Sequence, residues 1–178
     1  VVVAVQIARE LNLPLDIVIT RKIGAPTQSE LALGAVDPDG EVVWDKELIS
    51  AVGVNVEQLK DEVEKQIAEI KRREEVYRQG KPQLDVEDKT VILVDDGIAT
   101  GATTLAAINY LKRQRAKKII LAVPVASREV VDRVSREIEK IGEVMVLETP
   151  ENFQAVGQFY QEFEEVSDEE VVQLLANE

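Results

Sequence analysis

The chain has 178 residues, of which 34 are acidic and 21 are basic, so its formal net charge is −13. It contains no cysteine and no histidine, which excludes disulfides, thiol nucleophiles, Cys/His zinc sites and any imidazole acid or base. The acidic balance argues against a general nucleic-acid binder, and no apolar stretch is long enough to span a membrane. The chemistry left open uses carboxylates, hydroxyls, backbone amides, Lys and Arg, and an oxygen-bound metal such as Mg²⁺.

The first predicted element is a helix, and the second is a buried strand. Apolar residues recur at helical spacing over 3–11, and Asn12 ends that helix. Residues 15–20 are largely apolar and β-branched, which predicts a buried strand whose C-terminal end carries Arg21 and Lys22. We expect these two cations at the edge of a sheet, close to any ligand bound there.

A loop, a hairpin and a long helix are predicted next. The loop contains Gly and Pro and covers 24–29. Two short β-like runs at 31–36 and 41–44 flank the turn sequence Asp-Pro-Asp-Gly at 37–40 and together predict a hairpin. An amphipathic helix is predicted at 56–78, where i,i+4 ion pairs indicate a solvated outer face.

The second half of the chain alternates between strands and helices. Strands are predicted at 90–94, 118–123 and 144–147, helices at 103–112 and 127–141, and a capping box at 167–170 opens a last helix. This alternation predicts an α/β fold with a mostly parallel sheet and helices on both of its faces.

The segment with the clearest chemistry is the junction at 91–104. A buried apolar strand delivers two adjacent carboxylates, Asp95 and Asp96, and a loop of small residues then leads straight into a helix. Two loop glycines permit a close approach to a ligand, and the free amides of the helix N-terminus favour a phosphate. Paired carboxylates suit sugar hydroxyls or Mg²⁺. The alternative is a plain strand–turn–helix junction in which Asp and Thr serve as turn and cap residues.

The run from Val91 to Thr103 resembles the phosphoribosyl-diphosphate (PRPP) binding motif of the type I phosphoribosyltransferases. The resemblance extends over 21–26, 30–36 and 148–170, where the chain is similar to a bacterial and archaeal subgroup with no settled substrate. It implies one phosphoribosyltransferase domain over 1–178, with a mostly parallel central sheet flanked by helices. It also implies an inserted hairpin and long helix, with a mobile flap, over 23–88, and a C-terminal helical hood over 148–178.

The resemblance implies roles for particular residues. Asp95 and Asp96 would be the catalytic pair that holds the ribose 2′- and 3′-hydroxyls and, with Mg²⁺, orients the ring. The 5′-phosphate would bind the backbone amides of Ala99, Thr100, Gly101, Ala102 and Thr103. Arg21 and Lys22 would face the pyrophosphate, although strand-end cations can equally reach for water.

Two departures from the family pattern affect what we expect. Many purine-salvage members carry an acidic residue where this chain has Ala99, so the hypoxanthine/guanine type is disfavoured and the adenine-specific members are more similar. The family's pyrophosphate loop should precede Val1, so we interpret the chain as lacking an N-terminal piece.

Aromatic residues near the C-terminus are candidates for stacking on an acceptor base. Phe153, Phe159 and Tyr160, together with Phe163, hold most of the few aromatics of the chain. At this spacing they could equally pack a terminal segment onto the core. The acceptor itself is not identified by the sequence.

The function expected is transfer of the 5-phosphoribosyl group from PRPP to a nitrogen acceptor, with Mg²⁺ as the cofactor. The expected partners are PRPP, a nucleobase-like molecule and a second copy of the chain in a homodimer, without nucleic acid or membrane. A cytoplasmic location fits the lack of cysteine. Two alternatives stay open: a regulatory protein that binds PRPP or a nucleotide without turnover, and a phosphosugar binder or hydrolase.

Overall fold

The computed structural model describes residues 1–26 and 28–176. Its helices are α1 (Val2–Leu11), α2 (Lys46–Val52), α3 (Lys60–Arg78), α4 (Ala102–Arg113), α5 (Arg128–Ile138) and α6 (Asp168–Ala176). Its strands are β1 (Arg21–Ala25), β2 (Gln28–Val36), β3 (Val42–Trp44), β4 (Thr90–Val94), β5 (Lys118–Val125) and β6 (Gly142–Glu148). Two short 3₁₀ helices cover Val56–Leu59 and Val156–Phe159.

The second half of the chain forms a three-stranded parallel sheet in the order β4-β5-β6. Leu93 of β4 pairs with Leu121 of β5, which pairs with Val144 of β6. Burial alternates along β5, and its inward residues share a core with the apolar faces of α4 and α5. The strands and helices predicted for this half are therefore confirmed, with ends that differ by at most three residues.

The first half forms an antiparallel sheet in the order β1-β2-β3. Its predicted hairpin is confirmed, because β2 and β3 flank the turn at 37–40, where the Asp37 carboxylate accepts hydrogen bonds from the amides of Asp39 and Glu41. Helix α3 packs on this sheet and α6 packs on α3. Tyr77 of α3 donates to Asp168 of α6 at 2.5 Å, which fixes that contact.

The predicted strand at 15–20 is wrong. These residues form no strand pairing with any described residue, and β1 begins only at Arg21. They are held by side chains: the carboxylate of Asp16 pairs with Arg78 at 2.5 Å and accepts from the amide of Leu84 at 2.8 Å. A cavity of about 530 Å³ lies between residues 15–20 and β4. The two segments face each other across it and are not paired by backbone hydrogen bonds.

Other boundaries also differ from expectation. Residues 24 and 25 belong to β1 and residue 28 begins β2, so the loop predicted at 24–29 is mostly strand. Helix α2 was not predicted; its N-cap Asp45 accepts from the amide of Leu48. The predicted helix at 56–78 starts with a 3₁₀ turn, capped by the Asn55 side chain as expected.

None of the helices within 1–26 and 28–176 combines the length and the apolarity that crossing a membrane requires.

Candidate active site

The two adjacent carboxylates stand where β4 ends, on a loop that is fastened to β5. The amide of Asp95 donates to the Ala122 carbonyl at 3.4 Å, and the amide of Ile98 donates to the Val125 carbonyl at 3.0 Å. The Asp95 carboxylate accepts from the amide of Asp96 at 3.0 Å, which fixes the side chain across the start of the loop. Neighbouring strand ends therefore position the acid pair, as expected for a parallel sheet.

Asp95 is the electrostatically unusual group of this site. Burial, and secondarily the negative charge of Asp96, raise the pKa of its carboxyl to about 6. An acid with this pKa is partly protonated in mildly acidic solution, and its charged form gains from a nearby cation or from hydroxyl donors. The two carboxylates are thus suited to a ligand that brings a cation or hydroxyl groups with it.

The loop that follows is built for close packing on one side and exposure on the other. Gly97 is buried, and a Cβ there would lie 2.7 Å from Val156 and 3.0 Å from Val125. Gly101 is the N-cap of α4 with φ of 76°, a left-handed conformation that side-chain-bearing residues rarely adopt. Residues 99 and 100 are exposed and residues 102 and 103 are half-buried. The first amides of α4 have no acceptor within the helix, which favours an anion at this end.

The large cavity connects Asp95 to the first turn of α4. Asp95, Thr103 and Thr104 line it together with residues 15–20 and β4. The structure therefore brings Asp95 of the predicted catalytic pair and Thr103 of the predicted phosphate loop to one cavity, whereas Asp96 and residues 99–102 do not line it. The individual roles of Asp95, Asp96 and residues 99–103 stay predictions.

The C-terminal segment lies directly against the acid loop. The Tyr160 hydroxyl donates to the Asp96 carbonyl at 2.6 Å, and burial together with the nearby carboxylates raises the pKa of this tyrosine. The Phe163 ring packs against the Tyr160 ring with centroids 5.1 Å apart. Of the three residues predicted to stack on an acceptor, Tyr160 is thus the one held at the acid pair.

Phe153 and Phe159 contact each other rather than the acid loop. Their rings stack with centroids 5.7 Å apart and planes inclined by 16°. Each half-buried ring therefore has one face covered by the other. Stacking on a base by these two residues stays a prediction, and only their outer faces are open to it.

Arg21 is directed toward α3. Its Nε donates to the Gln66 amide oxygen at 2.8 Å, and it lines a separate cavity of about 400 Å³ beside Lys65 and Arg72. Lys22 is half-buried in β1, next along the strand. The structure does not bring the Arg21 side chain into the cavity of the acid pair, and the pyrophosphate role of both cations stays a prediction.

The residues at the acid pair suit a metal ion that is bound partly by the protein and partly by oxygens of a bound ligand, rather than by the protein alone. No group of three or more acidic side chains suited to a metal occurs among the residues that the structure describes. Asp95 and Asp96 could supply one or two oxygen ligands to Mg²⁺, which prefers to keep water or phosphate oxygens in the rest of its shell.

One residue near the loop was not predicted. Arg133 of α5 donates through its guanidinium to the carbonyl of Thr100. In the sequence it is one of several charges on the polar face of an amphipathic helix, 33 positions away from the loop. Nothing in the local pattern distinguishes it from its exposed neighbours, so only the packing of α5 on α4 reveals it.

This fold and site define a known class: the chain belongs to the phosphoribosyl transferase domain family, whose sequence model matches residues 1–163. Two similar proteins from strains of Mycobacterium tuberculosis carry the provisional name of phosphoribosyl transferase. Each is 38% identical over 173 residues, a match that covers 97% of this chain and 38% of the relative. The chain therefore spans less than two fifths of the length of these relatives.

A solved structure is similar over nearly the whole chain. The crystal structure of TT1426 from Thermus thermophilus matches with a TM-score of 0.78 and 39% identity, covering 99% of this chain and 82% of TT1426. A shorter match, 35% identical over 69 residues, is to a ribose-phosphate pyrophosphokinase of Thermococcus kodakarensis and covers 38% of this chain and 25% of that enzyme. The family and the α/β fold predicted from the sequence are confirmed.

Proposed function

We propose that this domain transfers the 5-phosphoribosyl group of PRPP to a nitrogen acceptor and releases pyrophosphate. The observation that carries the proposal is the junction where Asp95 and Asp96 stand beside the free N-terminus of α4. In the reaction, the bond from ribose carbon 1 to a pyrophosphate oxygen breaks and a bond from carbon 1 to the acceptor nitrogen forms. The proton displaced from that nitrogen passes to water.

The proposed roles follow from the groups present. The amides and hydroxyls at 99–103 bind the 5′-phosphate, because free amides and the helix dipole stabilise an anion there. Asp95 and Asp96 accept hydrogen bonds from the ribose hydroxyls and stabilise the positive charge that develops on the ring. This chemistry depends on positioning and electrostatics and needs no histidine, in agreement with a chain that has none.

Mg²⁺ is part of the proposal, held by Asp95, Asp96 and ligand oxygens together. When bound it neutralises the leaving pyrophosphate and polarises its oxygens. The raised pKa of Asp95 supports this role, since a carboxylate that is unfavourable when alone gains from a cation.

The acceptor is proposed to be a nucleobase-like molecule bound on the side of Tyr160. The hydrogen bond from Tyr160 to Asp96 supports this placement, because it holds an aromatic ring beside the acid pair. Phe153 and Phe159 are the further candidates for stacking. A homodimer and a cytoplasmic location complete the proposal, and size-exclusion chromatography with light scattering tests the first of these.

The experiment measures pyrophosphate release from PRPP and Mg²⁺ by the full-length protein, with a panel of nucleobases as acceptors. An Asp95→Asn/Asp96→Asn variant is measured in parallel, with Asp61→Asn as the control because Asp61 is an exposed carboxylate on α3. We expect release with one class of base, abolished in the double variant and unchanged in the control.

Two other results would change the interpretation. Binding of PRPP by calorimetry without release on any base favours a non-catalytic regulatory protein. Release of pyrophosphate without a new nucleotide favours a phosphosugar hydrolase.

A further inference from the structure

Within 1–26 and 28–176, two buried side-chain polar atoms lack a hydrogen-bond partner, and both belong to residues beside the loop that begins α4. They are Oγ1 of Thr104 and Nε of Arg133. Thr104 lies in the first turn of α4 and is 4% exposed, whereas Arg133 reaches the loop from α5. Unpartnered buried polar groups are rare in native proteins and frequently mark the place of a water, an ion or a ligand.

Arg133 fixes the orientation of one peptide unit in the loop. Its guanidinium donates to the Thr100 carbonyl, and its Nη2 lies 3.1 Å from where a Cβ on Gly101 would be. The Thr100 carbonyl and the Gly101 N–H belong to the same planar trans peptide, in which they point in opposite directions. Because Arg133 holds the carbonyl toward α5, the Gly101 N–H points away from α5.

The charge of Arg133 also lacks a counter-ion. No carboxylate of a described residue lies within ion-pair distance of its guanidinium, whereas most other arginines of the described ranges have such a partner, for example Arg113 with Asp37. A half-buried cation beside a helix N-terminus creates positive potential at one point of an otherwise acidic molecule. Such a point favours an anion, and a phosphate most of all.

We propose that Arg133 is a positioning residue of the phosphate site, which orients the Thr100–Gly101 peptide and supplies the positive charge that a bound phosphate ester neutralises. For the ligand, the 5-phosphate of a ribose, the proposal rests on the proposed function. The proposal adds a residue of α5 to the phosphate-binding residues 99–103, which are contiguous in the sequence.

The test compares three substitutions in the full-length protein. Arg133→Met removes the guanidinium and keeps the aliphatic length, Arg133→Lys keeps the charge without the planar fork, and Arg133→Ala makes room for added methylguanidinium. Arg136→Met is the control, because Arg136 is exposed on the same helix and has no counter-ion among the described residues. Calorimetry measures the affinity for ribose 5-phosphate and, separately, for pyrophosphate with Mg²⁺.

We expect Arg133→Met to weaken ribose 5-phosphate binding by about 10- to 100-fold, as for other charge-assisted hydrogen bonds. Arg133→Lys should lose less, methylguanidinium should restore part of the binding of Arg133→Ala, and Arg136→Met should bind like the unmodified protein. The affinity for Mg²⁺-pyrophosphate should stay unchanged in all variants. That difference between ligands separates a role at the phosphate from a purely structural one, which would weaken both.

The outcomes distinguish this inference from the proposed function. If the unmodified protein binds ribose 5-phosphate and Arg133→Met binds it equally well, the role of Arg133 is refuted and the transferase proposal stands. Equal losses for both ligands also refute it. If Arg133→Met loses ribose 5-phosphate but the protein transfers to no acceptor, the inference stands and the transferase proposal fails. No binding of ribose 5-phosphate by the unmodified protein refutes the inference, whereas the transferase proposal is then decided by pyrophosphate release from PRPP.

Discussion

Asp95 is buried beside a second carboxylate, and both conditions make its negative charge unfavourable in the free protein. Its folded pKa of about 6 lies above the ordinary value of 3.8, so the folded state binds more protons between these values. Stability therefore falls as pH rises from 3.8 to 6, and the loss persists above pH 6. The difference corresponds to about 3 kcal/mol at neutral pH.

Asp95→Asn should accordingly stabilise the ligand-free protein while it removes PRPP turnover. Asparagine keeps an oxygen that can accept from the Asp96 amide but carries no charge. Urea unfolding at about pH 8 should give a free energy of unfolding higher by up to about 3 kcal/mol, and most of this gain should vanish at about pH 4. Asp61→Asn should show neither effect. A gain in stability over the unmodified protein that is no larger at pH 8 than at pH 4 would contradict the cause given for the raised pKa.

Gly101 and Gly53 offer a matched pair for testing the loop backbone. Both are left-handed, with φ of 76° and 67°, but a Cβ on Gly101 would lie 3.1 Å from Arg133 and Val130, whereas Gly53 has nothing within 4 Å. Gly53→Ala should destabilise by about 1 kcal/mol from backbone strain alone. Gly101→Ala should cost more, roughly 2 kcal/mol or above, and should also weaken ribose 5-phosphate binding. Equal costs in thermal unfolding would show that the Arg133 contact imposes no restraint.

At the scale of elements, the C-terminal segment is joined to the acid loop through one hydroxyl. Tyr160→Phe removes the donor to Asp96, and Tyr110→Phe is a matched control, because the Tyr110 hydroxyl bonds Gln83 at 2.7–2.9 Å rather than the acid loop. Each variant should lose about 1 kcal/mol of stability.

Only Tyr160→Phe should alter the kinetics, with a KM for the acceptor raised several-fold and a smaller change for PRPP. Steady-state kinetics with the acceptor found in the nucleobase panel measures both constants. Equal kinetic effects of the two variants would place Tyr160 outside the acceptor site.

The elements that were predicted correctly are those whose turn, cap or motif residues lie within the element itself. Asp37-Pro38-Asp39-Gly40 encodes its turn, Ser127 and Ser167 cap their helices, and the junction at 91–104 is continuous in the chain. A strand needs a pairing partner as well as an apolar pattern, and 15–20 has the pattern without the partner. Arg133 meets the loop only through tertiary packing, so no local rule could have found it. The motif therefore predicted the strand, loop and helix of the candidate site, all within one segment, whereas the roles of its residues stay predictions.

At the scale of the molecule, α4 joins two cores. Its apolar face belongs to the core of the parallel sheet, and it also contacts the strands of the antiparallel sheet. Its last residue, Arg113, bonds Asp37 at 2.5 Å and Asp39 at 3.2 Å across to the hairpin turn, and the Asp37 side chain is 0% exposed. The proposed phosphate site lies at the first turn of this helix, and the ion pairs of Arg113 with Asp37 and Asp39 (the hairpin clamp) lie at its last residue.

Arg113→Met should lower the free energy of unfolding by about 2–3 kcal/mol, because it leaves a buried carboxylate with backbone donors alone. Adding Asp37→Asn to that variant should restore part of the loss, since the unpaired charge is then removed. Urea unfolding measures both, and Arg115→Met, at an exposed ion pair with Glu87, is the control expected to change little. A loss no larger than that of the control would mean that the clamp contributes nothing.

The cavity between residues 15–20 and β4 has a consequence for how this polypeptide behaves at high concentration. The side of β4 that faces the cavity pairs with no described strand, and its sequence, Thr-Val-Ile-Leu-Val, is uncharged and strongly β-prone. Such an edge templates intermolecular pairing. The average molar mass from light scattering should therefore rise beyond that of a dimer as the concentration increases, and Ile92→Lys, at a half-buried residue lining the cavity, should suppress this rise. Self-association would then report how often residues 15–20 move away from β4 and leave the edge of this sheet accessible to a second molecule.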